Sequence, residues 1–365
     1  MRLSHPLEDC AGSVKRFLQK HPVVCLLLLT PGIPEYLSGS SPMSLLVTNP
    51  ALFLLQLAAN LGLYGPGVLL IREAMVRWRK GWATVLLLGA AYGILEEGVA
   101  LSTLFYSQAA PVGILGYHGH WMGVNWVWVS GILLVHMLYS IALPILLLDL
   151  ALPETHGKSL LTQRQLVYLL PIWGADILIL NLLVGLGEHF WAGPALLTFS
   201  FLAIGALILV AYWVPADLFA ARSPRPTTSP LAFLVVGLTF FVATLFAQRI
   251  AVDRVPPFVS VGLVALIAVV WLVWVVRNSG KVGSERCWIA LAAGAIAPLC
   301  VFGIVSQFPL LVVIVGVVAA VVFLRYLWGK YPADSHPLPP PPPPPNPGDL
   351  SLSSGGPTVP PAPAA

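Results

Sequence analysis

The stretch Trp82-Ala83-Thr84-Val85-Leu86-Leu87-Leu88-Gly89-Ala90-Ala91-Tyr92-Gly93-Ile94-Leu95-Glu96-Glu97-Gly98-Val99-Ala100-Leu101-Ser102-Thr103-Leu104-Phe105 decides the class of this chain. It is apolar over a length that crosses a hydrocarbon core of about 30 Å, for which roughly 20 residues suffice. Yet Glu96 and Glu97 sit side by side within it. An ionisable group at the bilayer centre costs about 2.5–3.5 kcal/mol on insertion scales, and more in simulations, so it normally faces a partner or a watery cavity. Two adjacent carboxylates in such a segment mark a candidate functional site.

The surrounding sequence has the same character. Of 365 residues, 58% are hydrophobic and 9% charged, against roughly 25% charged in soluble domains. Ten apolar segments are expected to be transmembrane helices, at about 18–36, 50–71, 82–106, 124–150, 165–187, 193–214, 231–248, 257–276, 287–304 and 307–328. The fold class is therefore all-α, a polytopic transmembrane helical bundle. In the first segment the apolar run Val23 to Leu29 is short and is followed by Pro31, Gly32 and Pro34. No Ala-x-Ala-like cleavage site follows, so it is read as an uncleaved helix.

Lysine and arginine mark cytoplasmic loops. With the N-terminus inside, 17 of the 19 basic residues fall on the cytoplasmic side, leaving only Arg249 and Arg254 outside. Both termini are expected in the cytoplasm, and the protein is expected to be a multi-pass protein of the plasma membrane with the lipid bilayer as its first partner. The net charge of +4 reflects this topology and implies no nucleic-acid partner. Cys10, Cys25, Cys287 and Cys300 form neither a disulfide framework nor a CxxC metal motif.

Polar residues are distributed unevenly. Residues 1–190 hold Asn60, Glu96, Glu97, His136, Asp176 and Asn181 within their helices, whereas residues 191–330 read as apolar scaffold helices with no internal repeat of the acidic pair. Residues 331–365 contain seven consecutive prolines, Pro339 to Pro345. This composition predicts an extended, disordered tail of polyproline II character, a candidate ligand for a proline-recognising partner.

Counting about 1.5 Å per residue from the outer helix ends puts Glu97, His136, Asp176 and Asn60 within one turn of the same level. Four consecutive helices could thus converge their polar groups on one layer. Glu96 and Glu97, Asp176 and Asn60 would supply acid and amide groups, and His136 a group that can hold or pass a proton near neutral pH. His136 shares a helical stripe with Tyr139, Ser140 and Pro144. Gly89 and Gly93 precede Glu97 at steps of four and form a small-residue face on which another helix can pack closely. In the loop before the fourth segment, His118 and His120 have a His-x-His spacing that supplies two metal ligands and no third. A solvated interfacial loop is the simpler reading, and the sequence specifies neither a metal nor a cofactor.

The stretches Pro34-Glu35-Tyr36-Leu37-Ser38-Gly39-Ser40, Tyr92-Gly93-Ile94-Leu95-Glu96-Glu97-Gly98 and Gly123-Val124-Asn125-Trp126-Val127-Trp128, followed by His136 and Ile141-Ala142-Leu143-Pro144, resemble a group of prokaryotic polytopic membrane proteins of no assigned activity. The resemblance covers roughly residues 30 to 150. A more distant resemblance is to the intramembrane proteases that process CAAX proteins and bacteriocins. In that family a Glu-Glu pair followed by arginine, a Phe-x-x-x-His motif and a later His-x-x-x-Asn/Asp motif activate a water for peptide hydrolysis. Glu96 and Glu97 would correspond to the pair and His136 to the first histidine. Leu101 stands where that family has arginine and Ile132 where it has phenylalanine. No later intramembrane histidine follows, so Asp176 or Asn181 would have to substitute.

These readings predict a buried Glu96/Glu97/His136 site, supported by Asp176, Asn60, Ser140 and Tyr139, that acts as an intramembrane hydrolase on a membrane-embedded peptide. The alternatives are a proton- or cation-coupled transporter, in which the same carboxylates serve an ion substrate, and a non-catalytic scaffold subunit.

Overall fold

The computed structural model describes residues 19–249, 252, 254–306 and 310–331. The proline-rich tail and Cys10 lie outside the described residues. Ten apolar helices follow one another: α1 (Pro22–Leu37), α2 (Pro50–Arg77), α3 (Trp82–Ala100), α4 (Trp126–Ala151), α5 (Gln163–Glu188), α6 (Pro194–Trp213), α7 (Pro230–Arg249), α8 (Pro257–Asn278), α9 (Glu285–Ser306) and α10 (Leu310–Lys330). Among the described residues nine are long and apolar enough to cross a bilayer, and α1 is shorter. The only sheet among them is a two-stranded ribbon of β1 (His120–Trp121) and β2 (Val124–Asn125).

Local chemistry sets several of the helix starts. Asn49 caps α2 by accepting from Leu52 N, with Pro50 in the first turn. Thr162 and Gln165 form a reciprocal capping box at the start of α5. The expected end of the second segment at residue 71 is corrected to Arg77. Both Arg72 and Glu73 are buried and are bonded largely by the loop after α4. Arg72 donates to Lys158 O at 3.0 Å and Thr155 O at 2.7 Å. Glu73 accepts from Leu160 N at 2.6 Å and from Arg77 Nε at 2.8 Å.

Further contacts gather the basic loops at one end of the bundle. Lys80 Nζ donates to Val214 O, Lys330 Nζ to Ala151 O, and Lys281 N to Ser223 O. The β-ribbon lies at the opposite end, where α3 finishes and α4 begins.

Three helices carry a stretch of π-helix: Gly32–Leu37 in α1, Leu95–Ala100 in α3 and His136–Ala142 in α4. Such wide turns add a residue to the helical turn and occur frequently at functional sites. The third segment, expected to run to residue 106, ends at Ala100. After its π turn Leu101 N bonds Glu96 O, and Ser102 adopts φ 58° in the left-handed region. The apolar run Leu101 to Phe105 conceals that break from a reading of hydropathy.

α3 and α4 form the centre, with 67% and 61% of their apolar windows buried, against 11% for α5, α6 and α10. The exposed faces of the outer helices are rows of large apolar side chains such as Leu178, Leu182, Leu202, Leu209, Val318 and Val322. A surface of this kind suits lipid as its solvent. Gly89 of α3 faces Met137 Cα of α4, and Gly93 faces His136 Cβ, so the small-residue face identified from the sequence is where α4 crosses. α7 and α9 pack in the same way, with Gly237 against the backbone of α9 and Gly294 against that of α7.

Candidate functional site

The glycine face of α3 brings His136 beside the acidic pair. Glu96, Glu97 and His136 are 2%, 6% and 2% exposed, and one ligand atom from each lies within 4.8 Å of the others. His136 Nε2 is 2.9 Å from Glu97 Oε1 in a hydrogen bond. His136 Nδ1 is 3.2 Å from Glu96 Oε2, in ion-pair range, but that oxygen makes no hydrogen bond. Ser140, one turn further along α4, reaches the same nitrogen with its hydroxyl at 3.2 Å. Two lone pairs facing each other at this separation would repel, so the contact between Nδ1 and Glu96 requires a proton on the imidazole or on the carboxyl.

The two glutamates differ in their commitments. Glu97 is held on both sides, by His136 and by the Thr103 hydroxyl. Thr103 is fixed in turn: its hydroxyl accepts from Trp128 Nε1 at 3.2 Å, and its carbonyl accepts from Asn125 Nδ2 at 2.8 Å. Asn125 Oδ1 accepts from His120 Nδ1 at 2.6 Å. Glu96 Oε2 makes no hydrogen bond of good geometry, but the Tyr64 and Tyr92 hydroxyls both lie close enough to the Glu96 carboxyl to interact with it. The Tyr92 ring meets that of His136 edge-on at 5.7 Å, and Tyr64 is 6.2 Å from it.

A third carboxylate adjoins the cluster. Glu35, in the π turn of α1, accepts from Tyr64 OH at 2.7 Å and from Ser41 Oγ at 2.9 Å. Asn60 donates to Ser41 Oγ at 2.9 Å and lies 3.4 Å from Tyr36 OH. Asn60 therefore joins the Glu35 branch and not the Glu96/Glu97 pair. All three carboxylates and the imidazole sit in π-helical turns.

Other expected members are placed elsewhere. Asp176 abuts Gly62 of α2, with one carboxylate oxygen buried and unbonded. It makes no hydrogen bond or ion pair with the triad. Tyr139 points away from the triad, stacking edge-on with Phe241 at 6.0 Å, and its buried hydroxyl has no hydrogen-bond partner. Asn181 donates to Val99 O at 2.7 Å and ties α5 to the π turn of α3. His118 and His120 have different partners, Ser260 and Asn125. Among the described residues they join no group arranged to hold a metal.

Glu35, Tyr64, Tyr92 and Thr103 were not singled out as site residues. Glu35 stands at the end of a short first segment, and the tyrosines read as ordinary core aromatics. Tyr92 and Thr103 did carry a signal, since they share the helical face of Glu96, four residues before it and seven after. No family model, curated protein or solved structure matches the chain.

A committed, orienting carboxylate, an imidazole between two acids and phenols beside the second acid together form a unit that can take up a proton and return it. Glu96, Glu97 and His136 could also present ligand atoms to a cation, provided the His136–Glu97 hydrogen bond gives way.

Proposed function

We propose that this chain is a multi-pass plasma-membrane hydrolase whose centre is Glu96, Glu97 and His136, acting on a membrane-embedded peptide. The convergence of these three side chains in one buried cluster carries the reading. The basic end of the bundle is assigned to the cytoplasm because 17 of the 19 basic residues fall there on this division of the chain. The centre then lies in the outer half of the membrane.

In this mechanism Glu97, fixed by Thr103, orients His136. With the shared proton on His136 Nδ1, Glu96 takes the proton of a water as the hydroxide adds to the peptide carbonyl carbon. Tyr92 donates to the developing oxyanion, a role in which one preorganised donor typically supplies about 10²–10³ in rate. The tetrahedral adduct collapses as the C–N bond breaks, and the proton held by Glu96 and His136 passes to the departing amine.

A transporter would require a polar route to both ends. Among the described residues, hydrogen-bonded side chains lead from the triad toward the end that carries His120, and apolar residues such as Leu143, Ile145, Leu147 and Leu148 follow it toward the basic end.

The test is cleavage of a panel of fluorophore–quencher transmembrane peptides by the purified protein in proteoliposomes. General-base catalysis is worth about 10²–10⁴, so Glu96→Gln and His136→Ala should lose at least the lower figure while the fold persists. Full cleavage in Glu96→Gln, Glu97→Gln and His136→Ala would remove the hydrolase reading. Proton-gradient-driven flux that vanishes in Glu97→Gln would replace it with transport.

A further inference from the structure

We propose that the cavity between α4, α7, α8 and α9 is a binding site for one anionic bilayer lipid, with its hydrocarbon against the apolar walls and its phosphate head at Lys281. The cavity encloses about 690 Å³, within the roughly 300–1,000 Å³ of ligand sites. Its walls include Leu138 and Leu146 of α4, Phe240 of α7, Trp271 of α8 and Leu291 of α9, and its lining also includes His156, Ser279, Gly280 and Lys281 at the basic end of the bundle.

Charge selects the head of the occupant. Among the described residues no carboxylate lies in ion-pair range of Lys281. Asp149, the acid nearest His156, is already engaged by it at 2.8 Å and by Arg72 at 3.9 Å. The loop that carries Asp217, Arg222 and Arg225 is bridged to Gly280 through Ser223, and it contributes two cations to one acid. A free anion would leave the walls bare, and a plain hydrocarbon would leave Lys281 unanswered. The site does not depend on the hydrolase reading.

The experiment is photolabelling of the full chain in phosphatidylcholine vesicles that contain traces of either phosphatidylglycerol or phosphatidylcholine with a diazirine-bearing chain, followed by peptide mapping. The phosphatidylglycerol probe should label residues 138–146 and 271–276 about tenfold more than the phosphatidylcholine probe, the ratio that 1.4 kcal/mol of head-group preference gives. Lys281→Glu should erase the preference. Leu146→Trp, which fills the cavity, should suppress labelling by both probes while the thermal midpoint stays unchanged. Equal labelling by the two probes, labelling confined to the lipid-facing side of α5, competition by inorganic phosphate, or no response to Leu146→Trp in a folded protein would each overturn the proposal.

Discussion

At the residue scale, the useful contrast is between histidines that are equally visible in sequence and differently placed. His136 is enclosed by two acids in the bundle, whereas His156 lies beyond the end of α4 and bonds Asp149 Oδ2 at 2.8 Å. That hydrogen bond and the charge of Asp149 hold the His156 pKa above its ordinary value of 6.5, against opposition from burial and from Arg72. A raised folded pKa gives stabilisation that is complete below about pH 6.5 and is lost as pH rises through the folded value. The gap in thermal midpoint between the wild type and His156→Ala should therefore be widest in acid and close as pH rises. A gap independent of pH would show that the pair contributes nothing through protonation. Glu96, Glu97 and His136 were legible because charge is conspicuous in an apolar run. Glu35 was not, because its segment is short and its partners are hydroxyls.

At the element scale, the packing of α3 on α4 was legible from Gly89 and Gly93, since a face without side chains admits a neighbouring backbone. A Cβ added at Gly89 would stand 2.9 Å from Met137 Cα, so Gly89→Ala must push the two backbones apart. We expect a cost of about 1–3 kcal/mol, the usual range for overpacking, measured as a fall in unfolding free energy in detergent, together with weakening of the His136–Glu97 contact. An unchanged stability would mean that the helices do not meet along this line. The three π turns were not legible. A 3.6-residue period assumes a uniform helix, and the apolar residues on both sides of each wide turn disguise the extra residue. For the same reason Glu97 was expected deep within a longer helix, whereas it lies three residues before the end of α3.

At the scale of the whole molecule, the class of the protein and most helix boundaries followed from hydropathy, because the bilayer imposes both length and composition. What depth alone could not supply was azimuth. Asp176 faces Gly62 and stands apart from the triad, since residue counting gives height along a helix and not the neighbour it meets. The orientation rests on the distribution of lysine and arginine. In sealed cells, Trp121→Cys should react with a membrane-impermeant maleimide from outside, and Lys281→Cys should react only after permeabilisation. The reverse pattern would invert the bundle and place the Glu96 centre in the cytoplasmic half.

The account stands most directly on the contact between Glu97 and His136. A double-mutant cycle of Glu97→Gln and His136→Gln, read as unfolding free energy in detergent, measures it without any substrate. The 2.9 Å buried hydrogen bond predicts an interaction energy of about 0.5–3 kcal/mol, the range for residues in contact. Additivity within about 0.3–0.5 kcal/mol, the behaviour of distant and independent sites, would contradict it.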